Sequence, residues 1–300
     1  MFISSTSVLD SEHYVRLSDS ILAKGGAGIP ESDDMQGSRG DLPTGYGQSK
    51  WVSEQLVMEA GRRGLEGAIV RPGYIVGDSL TGGNSHACLP CCGGLPLVVN
   101  TDDFIVRLIK GCAQLGLIPE IYNTVNMVPV DHVARIVTAA AFHSVQSNLV
   151  TLHVTGHPRS RFVDILSALA EYGFKVSTTD YVPWRIALER YTIVESRDNA
   201  LYPLLHFVLD NLPQSTKAPE LDDRNTQSIL KADEAWTGED LSSGKGVTVD
   251  EMGIYLAYLV GIGFLEAPQG GAAARALPRV NVSQSILNNL GSVGGRGGKS

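Results

Sequence analysis

Short apolar runs that alternate with helical segments are the feature that most constrains the fold of this chain. A strand that leads through a helix into another strand is typical of a parallel sheet covered by helices on both faces. Strand patterns lie at 2–9, 67–73, 125–130 and 149–155, and helical patterns lie at 14–24, 46–63, 101–115, 133–142 and 162–172. The sequence therefore predicts an α/β fold built on a parallel sheet.

The pattern changes after about residue 176, where helical segments dominate. They lie at 182–194, 200–212, 225–231 and 247–264. We therefore expect a sheet domain over 1–175 and a smaller, mostly helical lobe over 176–268. Residues 269–300 end in "GSVGGRGGKS", which is too rich in glycine to pack, so they are predicted to form a flexible tail.

Composition excludes several classes of protein. The formal net charge of −8 argues against a nucleic-acid surface. No apolar run reaches the roughly 18 residues that a membrane span needs, and the N-terminus lacks the basic segment of a secretory signal. The four cysteines, at 88, 91, 92 and 112, are clustered instead of spread along the chain, a distribution that does not suggest a disulfide framework. We expect a cytoplasmic protein.

Four consecutive hydroxyl residues, Ser4 to Ser7, follow the start of the first strand pattern. Buried hydroxyls need hydrogen-bond partners, so four in a row are poor core material. Open parallel sheets bind ligands at the carboxyl ends of their strands. The cluster therefore marks a candidate site.

Tyr46 and Lys50, in "YGQSK", lie one turn apart on the next helix and share a face. Such a pair is common on ordinary amphipathic helices. Here, however, the pair follows a glycine-rich loop and a strand that ends in hydroxyl residues, and this context favours a catalytic role. A phenol has an ordinary pKa near 10, and a neighbouring ammonium lowers the pKa of a phenol. The phenol can then donate a proton to a carbonyl oxygen, while a serine hydroxyl orients that oxygen.

Together, "SSTSV", "YGQSK", "RPGYIVG" and "VNMVPVDHVARI" resemble the extended short-chain dehydrogenase/reductases. More narrowly, "GYGQSKWVSEQL", "NTDDFIVRLIKGCAQLG", "DNALYPLLHFVLDNLPQSTKAPELDD" and "GIYLAYLVGIGFL" resemble the aminoadipate-type thioester reductase domains that end carrier-protein assembly lines. The resemblance covers nearly the whole chain. It implies a Rossmann-like sheet with a helical C-terminal lobe.

The resemblance also implies the site. Ser5, with Thr6 as the second choice, Tyr46 and Lys50 would be catalytic, and the cofactor NADPH would lie against Tyr46, Lys50, Pro72, Gly73, Tyr74 and Val76. Val128, Pro129 and Asp131 would lie near the substrate pocket, although helix capping accounts for Asp131. The implied partner is a phosphopantetheinyl carrier domain that bears an aminoadipyl thioester. The implied reaction releases the semialdehyde, as in lysine biosynthesis.

Two features depart from the family pattern. The glycine-rich turn that cradles a dinucleotide does not precede the first strand, and Gly26-Ala27-Gly28, with Glu31 at the third position, is better explained as an ordinary loop. We therefore expect the Rossmann-like sheet to be incomplete, lacking its first strands, and the isolated chain to bind NADPH poorly. The second departure is an insertion at 86–99, "HACLPCCGGLPLVV", which is predicted to be an exposed loop or the translation of unspliced sequence.

No metal site is predicted. Cys88, Cys91 and Cys92 with His86 are too close together for a zinc knuckle, which normally takes its four ligands in two pairs. His153 and His157 have a spacing that suits zinc only on a helix, and Gly156-His157-Pro158 breaks one.

Two other functions remain open. A sugar-nucleotide epimerase or dehydratase of the same fold would share the tyrosine and the lysine. A catalytically inactive module that docks a carrier domain would need neither.

Overall fold

A computed structural model gives the arrangement of residues 1–82, 101, 103–143, 149–157, 159–195, 198–210, 212, 217–238, 246–270 and 274–282. The strands are β1 (Phe2–Ile3), β2 (Gly67–Pro72), β3 (Tyr74–Val76), β4 (Leu117–Pro119), β5 (Thr124–Val125), β6 (Met127–Pro129), β7 (Leu149–Val154), β8 (Ser160–Arg161) and β9 (Ser177–Thr179). The α-helices are α1 (Glu12–Ala23), α2 (Gly45–Arg62), α3 (Phe104–Leu115), α4 (Val130–His143), α5 (Phe162–Glu171), α6 (Tyr181–Glu189), α7 (Leu205–Asp210), α8 (Arg224–Thr237) and α9 (Val249–Gly261).

The chain divides into two compact units that are not continuous in sequence. The first contains residues 1–75, 125–159 and 217–246, and the second contains 76–124, 160–216 and 247–300. The division predicted at residue 175 does not coincide with these boundaries.

A parallel sheet forms the centre of the first unit. Its strand order is β1-β2-β7, with Ile69 of β2 opposite Phe2 on one side and Thr151 on the other. Helix α4 packs on β2, and α8 packs on β7 and α4. Their shared core is apolar: Ala68, Val70, Val128, Val133, Ile136, Ala140, Leu152, Val154 and Leu230. The predicted parallel α/β architecture is confirmed.

The first strand is shorter than predicted. β1 ends at Ile3, and Thr6–Leu9 form a 3₁₀ helix. The cause is local, because Ser5 has an extended backbone and its Oγ accepts a hydrogen bond from the Ser7 N–H at 3.2 Å. Val8 and Leu9 still reach the core, through the 3₁₀ helix instead of a strand.

The second unit is mostly helical in its described residues. Helix α5 packs against α3, β4 and α9, and β4 pairs in parallel with β9. Trp184 is fully buried and donates its indole N–H to the Leu117 carbonyl at 3.2 Å. Asp103 caps α3, where its carboxylate accepts the N–H groups of Ile105 and Val106 at 2.9 and 3.4 Å.

The prediction of a flexible tail from residue 269 is wrong for residues 274–282. Arg275 donates its backbone N–H to the Glu171 carbonyl at 2.9 Å, and its guanidinium binds Asp250. The same guanidinium lies 5.2 Å from the centre of the Tyr172 ring. A single arginine therefore attaches this segment to α5 and α9. Residues 283–300, which hold the glycine-rich end, lie outside the described residues.

Within the described residues, no helix combines the length and the hydrophobicity of a membrane-spanning segment.

Candidate active site

The start of helix α2 packs against the 3₁₀ helix Thr6–Leu9 that follows β1. Thr44 caps α2 by accepting the Gly47 N–H at 3.1 Å. A Cβ at position 47 would lie 3.0 Å from the Ser7 carbonyl oxygen, so glycine permits this close approach. The first turn of α2 is thereby held beside the hydroxyl cluster.

Tyr46 and Lys50 share one face of α2, as predicted. The Lys50 Nζ lies 5.9 Å from the centre of the Tyr46 ring and donates to the Ile3 carbonyl oxygen at 2.8 Å. That carbonyl is the last one of β1, so the ammonium lies at the carboxyl end of the strand. The Tyr46 side chain is 58% exposed and is accessible to a ligand.

Ser5 follows the same strand end by two residues. Its hydroxyl oxygen accepts the Ser7 N–H, which leaves the hydroxyl hydrogen able to donate elsewhere. Within the described residues, no hydrogen bond joins the side chains of Ser5 and Tyr46. Thr6 begins the 3₁₀ helix. The structure thus places Ser5 and Lys50 at one end of β1, and the catalytic role of Ser5 stays a prediction.

The segment after β2 is fixed by backbone contacts. Gly73 N–H donates to the Val154 carbonyl at 3.0 Å, and Tyr74 N–H donates to the Asn126 carbonyl at 2.6 Å. A Cβ on Gly73 would lie 2.5 Å from both the Nδ2 and the backbone oxygen of Asn126, so no side chain fits there. Pro72 ends β2 opposite Val154.

Asn126 was missed by the sequence reasoning. It is buried, and its Oδ1 also accepts the Gly156 N–H at 3.0 Å. Its position beside a required glycine could be seen only in three dimensions.

The remaining predicted site residues are less informative. Val76 is buried in the second unit. Val128 is buried, and Pro129 ends β6. Helix α4 begins at Val130, so Asp131 lies in its first turn and not at the capping position before it. A carboxylate in the first turn still interacts favourably with the helix dipole.

The histidines and cysteines do not form a metal centre in the part of the chain that the structure describes. His153 is buried in a hydrogen-bonded network, and His157 pairs with Asp223 at 3.3 Å. Cys88, Cys91, Cys92 and His86 lie outside the described residues.

A buried ion pair lies two turns along α2 from Tyr46, and sequence reasoning missed it. Glu54 and Arg71 have no exposed side-chain surface, and Arg71 Nε donates to Glu54 Oε1 at 2.8 Å. Ser4 Oγ donates to Glu54 Oε2. Two signals could have indicated it: Glu54 continues the face of Tyr46 and Lys50, and Arg71 interrupts the apolar run of β2.

The loop at Gly26–Gly28 is not a phosphate cradle. A Cβ at Gly28 would lie 2.5 Å from the Glu220 carbonyl oxygen, and the next residue, Ile29, donates its N–H to that carbonyl at 2.8 Å. Glycine is therefore needed for packing between two backbone segments.

Comparisons with known proteins decide the family. The NAD-binding family model described as "Male sterility protein" matches residues 1–137. Over 99% of its length, the chain is 58% identical to the L-2-aminoadipate reductase of Schizosaccharomyces pombe. The chain belongs to the reductase domains of the L-2-aminoadipate reductases. It spans about a fifth of the length of this relative, 20%.

Solved structures of other proteins share the fold of this chain. The terminal R domain from the myxalamid PKS-NRPS biosynthetic pathway superposes with a TM-score of 0.68 at 28% identity, over 89% of this chain and 59% of that one. A thiolation-reductase di-domain from an archaeal non-ribosomal peptide synthetase shares the fold, with a TM-score of 0.61 at 20% identity, over 88% of this chain and 49% of that one. The predicted Rossmann-like fold is confirmed.

The residues at the Tyr46 face of this reductase domain could hold a nicotinamide cofactor. An ammonium has three donors, and Lys50 gives one of them to the Ile3 carbonyl. The side chain of Tyr46, at 5.9 Å from that ammonium, is exposed. A cationic donor and a reachable phenol therefore lie side by side at a strand end, where this class of fold binds nucleotides.

Proposed function

We propose that this chain reduces an aminoadipyl thioester, carried on the phosphopantetheine of a carrier domain, to the semialdehyde with NADPH. The observation that carries the proposal is the Lys50 ammonium, which links the Tyr46 face of α2 to the last carbonyl of β1. The substrate is taken from the family, because the relative is named for aminoadipate. A carrier partner is supported by the thiolation-reductase pairing in the archaeal structure.

The proposed roles follow from the chemistry of each side chain. NADPH, when bound, supplies the hydride, and Lys50, Tyr46 and the segment Pro72–Tyr74 would hold it. A thioester carbonyl that has been reduced carries negative charge on its oxygen, and the hydroxyls of Tyr46 and Ser5 donate to that oxygen. When the electron pair on this oxygen re-forms the C=O bond, the C–S bond breaks, the pantetheine leaves as a thiolate that takes up a proton, and the aldehyde is released.

Lys50 would have two tasks. Its positive charge lies beside the Tyr46 ring and would stabilise the negative charge on a reduced thioester oxygen bound there. Its remaining donors can bind the hydroxyls of a ribose. Its bond to the Ile3 carbonyl keeps the ammonium in place for both.

A chimera tests the proposal independently of chain length. In the Schizosaccharomyces pombe relative, the matching fifth of the protein is replaced by residues 1–300 of this chain. We expect the chimera to oxidise NADPH when its carrier is loaded with aminoadipate. Because Tyr46 would supply general acid–base catalysis, Tyr46→Phe should lower kcat by about 100-fold or more.

A matched control is Tyr202→Phe, which removes a phenol of similar exposure, 60% against 58% for Tyr46. It should leave kcat unchanged. Equal rates for the Tyr46→Phe and unsubstituted chimeras would refute the catalytic assignment. Conversion of a sugar nucleotide without net oxidation of NADPH, and no turnover of the loaded carrier, would favour the epimerase or dehydratase class. Carrier binding without turnover would favour a docking module.

A further inference from the structure

A continuous chain of buried polar side chains connects α2 to β2, to β7 and to the residue that follows β1. It runs from Ser4 after β1 to Glu54 on α2, then to Arg71 on β2 and His153 on β7. Arg71 and His153 are direct neighbours in the register of the two strands. Each of these four residues is buried.

The direction of each hydrogen bond in this chain is determined. A guanidinium can only donate, so the His153 Nε2, at 3.0 Å from Arg71 Nη1, must be the acceptor. The other ring nitrogen, Nδ1, then carries the hydrogen and donates to the Asp222 carbonyl at 2.8 Å. Glu54 accepts from Arg71 with Oε1 and from Ser4 with Oε2.

Stability alone does not explain such an arrangement. Removing two charges from water is costly, and well-packed apolar residues of the same volume often stabilise a fold at least as well as a buried ion pair. Unlike apolar contacts, the hydrogen bonds of this ion pair fix the orientation of the two side chains.

The chain of contacts ends at the candidate active site. Tyr46, Lys50 and Glu54 are four residues apart and lie on one face of α2. Lys50 binds the carbonyl of residue 3, and Glu54 binds the side chain of Ser4. The next residue along the chain is Ser5, so two consecutive residues before it are held by the helix that carries Tyr46.

We propose that Glu54 is a positioning residue, which sets the register between α2 and the end of β1 and thereby the placement of Lys50 and Ser5. The effect on catalysis rests on the proposed function, whereas the effect on the register of α2 and β1 does not. The hydrogen bond from Ser4 connects Glu54 to the end of β1. Arg71, which also contacts His153, fixes the orientation of the Glu54 carboxylate.

Ser4→Ala tests the link without removing a charge. The matched control is Ser18→Ala, which also removes a buried hydroxyl, one that donates to the Val15 carbonyl within α1 at 2.9 Å. Hydrogen–deuterium exchange of amides 5–9 is measured in the 300-residue chain without substrate. Since a lost buried hydrogen bond weakens local protection, we expect exchange about fivefold faster in Ser4→Ala and unchanged in Ser18→Ala.

Glu54→Gln separates position from stability. Its amide oxygen can still accept from Arg71, and its amide nitrogen can donate to Ser4 Oγ, while the buried guanidinium loses its counter-charge. We expect a lower melting temperature with protection of amides 5–9 retained. If Glu54→Gln does not fold, the comparison of Ser4→Ala with Ser18→Ala decides.

The catalytic part is measured in the chimera. Ser4→Ala should lower kcat about tenfold, because misplaced catalytic groups lose rate. The KM for NADPH should change less than kcat, because Lys50 keeps its own bond to the Ile3 carbonyl. Ser18→Ala should change neither. Equal exchange in Ser4→Ala and Ser18→Ala would overturn the inference. An inactive unsubstituted chimera would instead refute the proposed function and leave the exchange result to decide this one.

Discussion

At the scale of single residues, His153 shows how a buried neighbour sets a protonation state. Burial, and then the positive charge of Arg71, lower the pKa of His153 from 6.5 to about 3. The neutral ring is also what the hydrogen bonds require, since its Nε2 accepts from Arg71. Charge and geometry therefore agree on a neutral histidine in the folded state.

This predicts a specific loss of stability in acid. Between about pH 3 and 6.5 the unfolded chain binds a proton at His153 that the folded chain excludes, so the free energy of unfolding falls as the pH falls. The contribution is at most about 1.4 kcal/mol per pH unit. His153→Gln should reduce the slope of unfolding free energy against pH in this window, as measured by urea denaturation.

The matched control is His206→Gln, which makes the same replacement at an exposed histidine. An unaltered slope in His153→Gln would show that other groups cause the acid sensitivity.

The sequence predicted part of the candidate site at this scale. The face shared by Tyr46 and Lys50 follows from helical spacing alone, and the structure adds the contact with the Ile3 carbonyl. Glu54 and Arg71 could not be assigned as partners, because a charged residue on a helix is usually exposed and the two are joined only by the fold.

At the scale of elements, Glu31 caps the N-terminus of α8, although it lies far from this helix in sequence. Its Oε2 accepts the Asn225 N–H at 2.5 Å, and its Oε1 accepts the Thr226 N–H at 3.2 Å. Oε1 also accepts the N–H of His153 at 2.8 Å, on the edge strand β7. One carboxylate from a loop thus satisfies a helix end and a sheet edge.

Removing this carboxylate should therefore destabilise the first unit. Glu31→Ala leaves buried N–H groups of α8 and β7 without an acceptor, and we expect a loss of about 1–3 kcal/mol in the free energy of unfolding. Urea denaturation measures it. Glu12→Ala, which removes a carboxylate from an exposed ion pair with Arg16, should cost less than about 0.5 kcal/mol. Similar losses in the two variants would contradict the capping role of Glu31.

Element positions were largely predictable and their ends were less so. Apolar periodicity gave α2 and α5 to within one residue of the structure. It extended the first strand through 2–9, because Val8 and Leu9 are apolar whether they lie on a strand or on a 3₁₀ helix. The Ser5 cap decides between the two, and that contact depends on a single side-chain rotamer.

At the scale of the whole molecule, the sequence could not show that the units are discontinuous. Residues 217–246 return to the first unit after the chain has passed through the second, and their helix α8 looks like any other in the helical half. Leu230 of α8 lies in the same core as Val70 of β2 and Leu152 of β7. These contacts join residues about 80 to 160 apart, which no local pattern encodes.

The consequence is that a chain cut at residue 175, the boundary that the sequence predicts, should not fold. The fragment 1–175 lacks α8, so the core loses Leu230 and the Glu31 carboxylate loses the N–H groups of Asn225 and Thr226. It also lacks Glu220, whose Oε2 lies 2.9 Å from the Nε of Arg159. We expect no cooperative unfolding transition by circular dichroism for 1–175. Adding a peptide of residues 217–246 should restore helical signal, because it returns these contacts to the core of the first unit. A fragment 1–175 that unfolds cooperatively, with the midpoint of the full chain, would show that α8 is dispensable and that the sheet with α2 and α4 is sufficient.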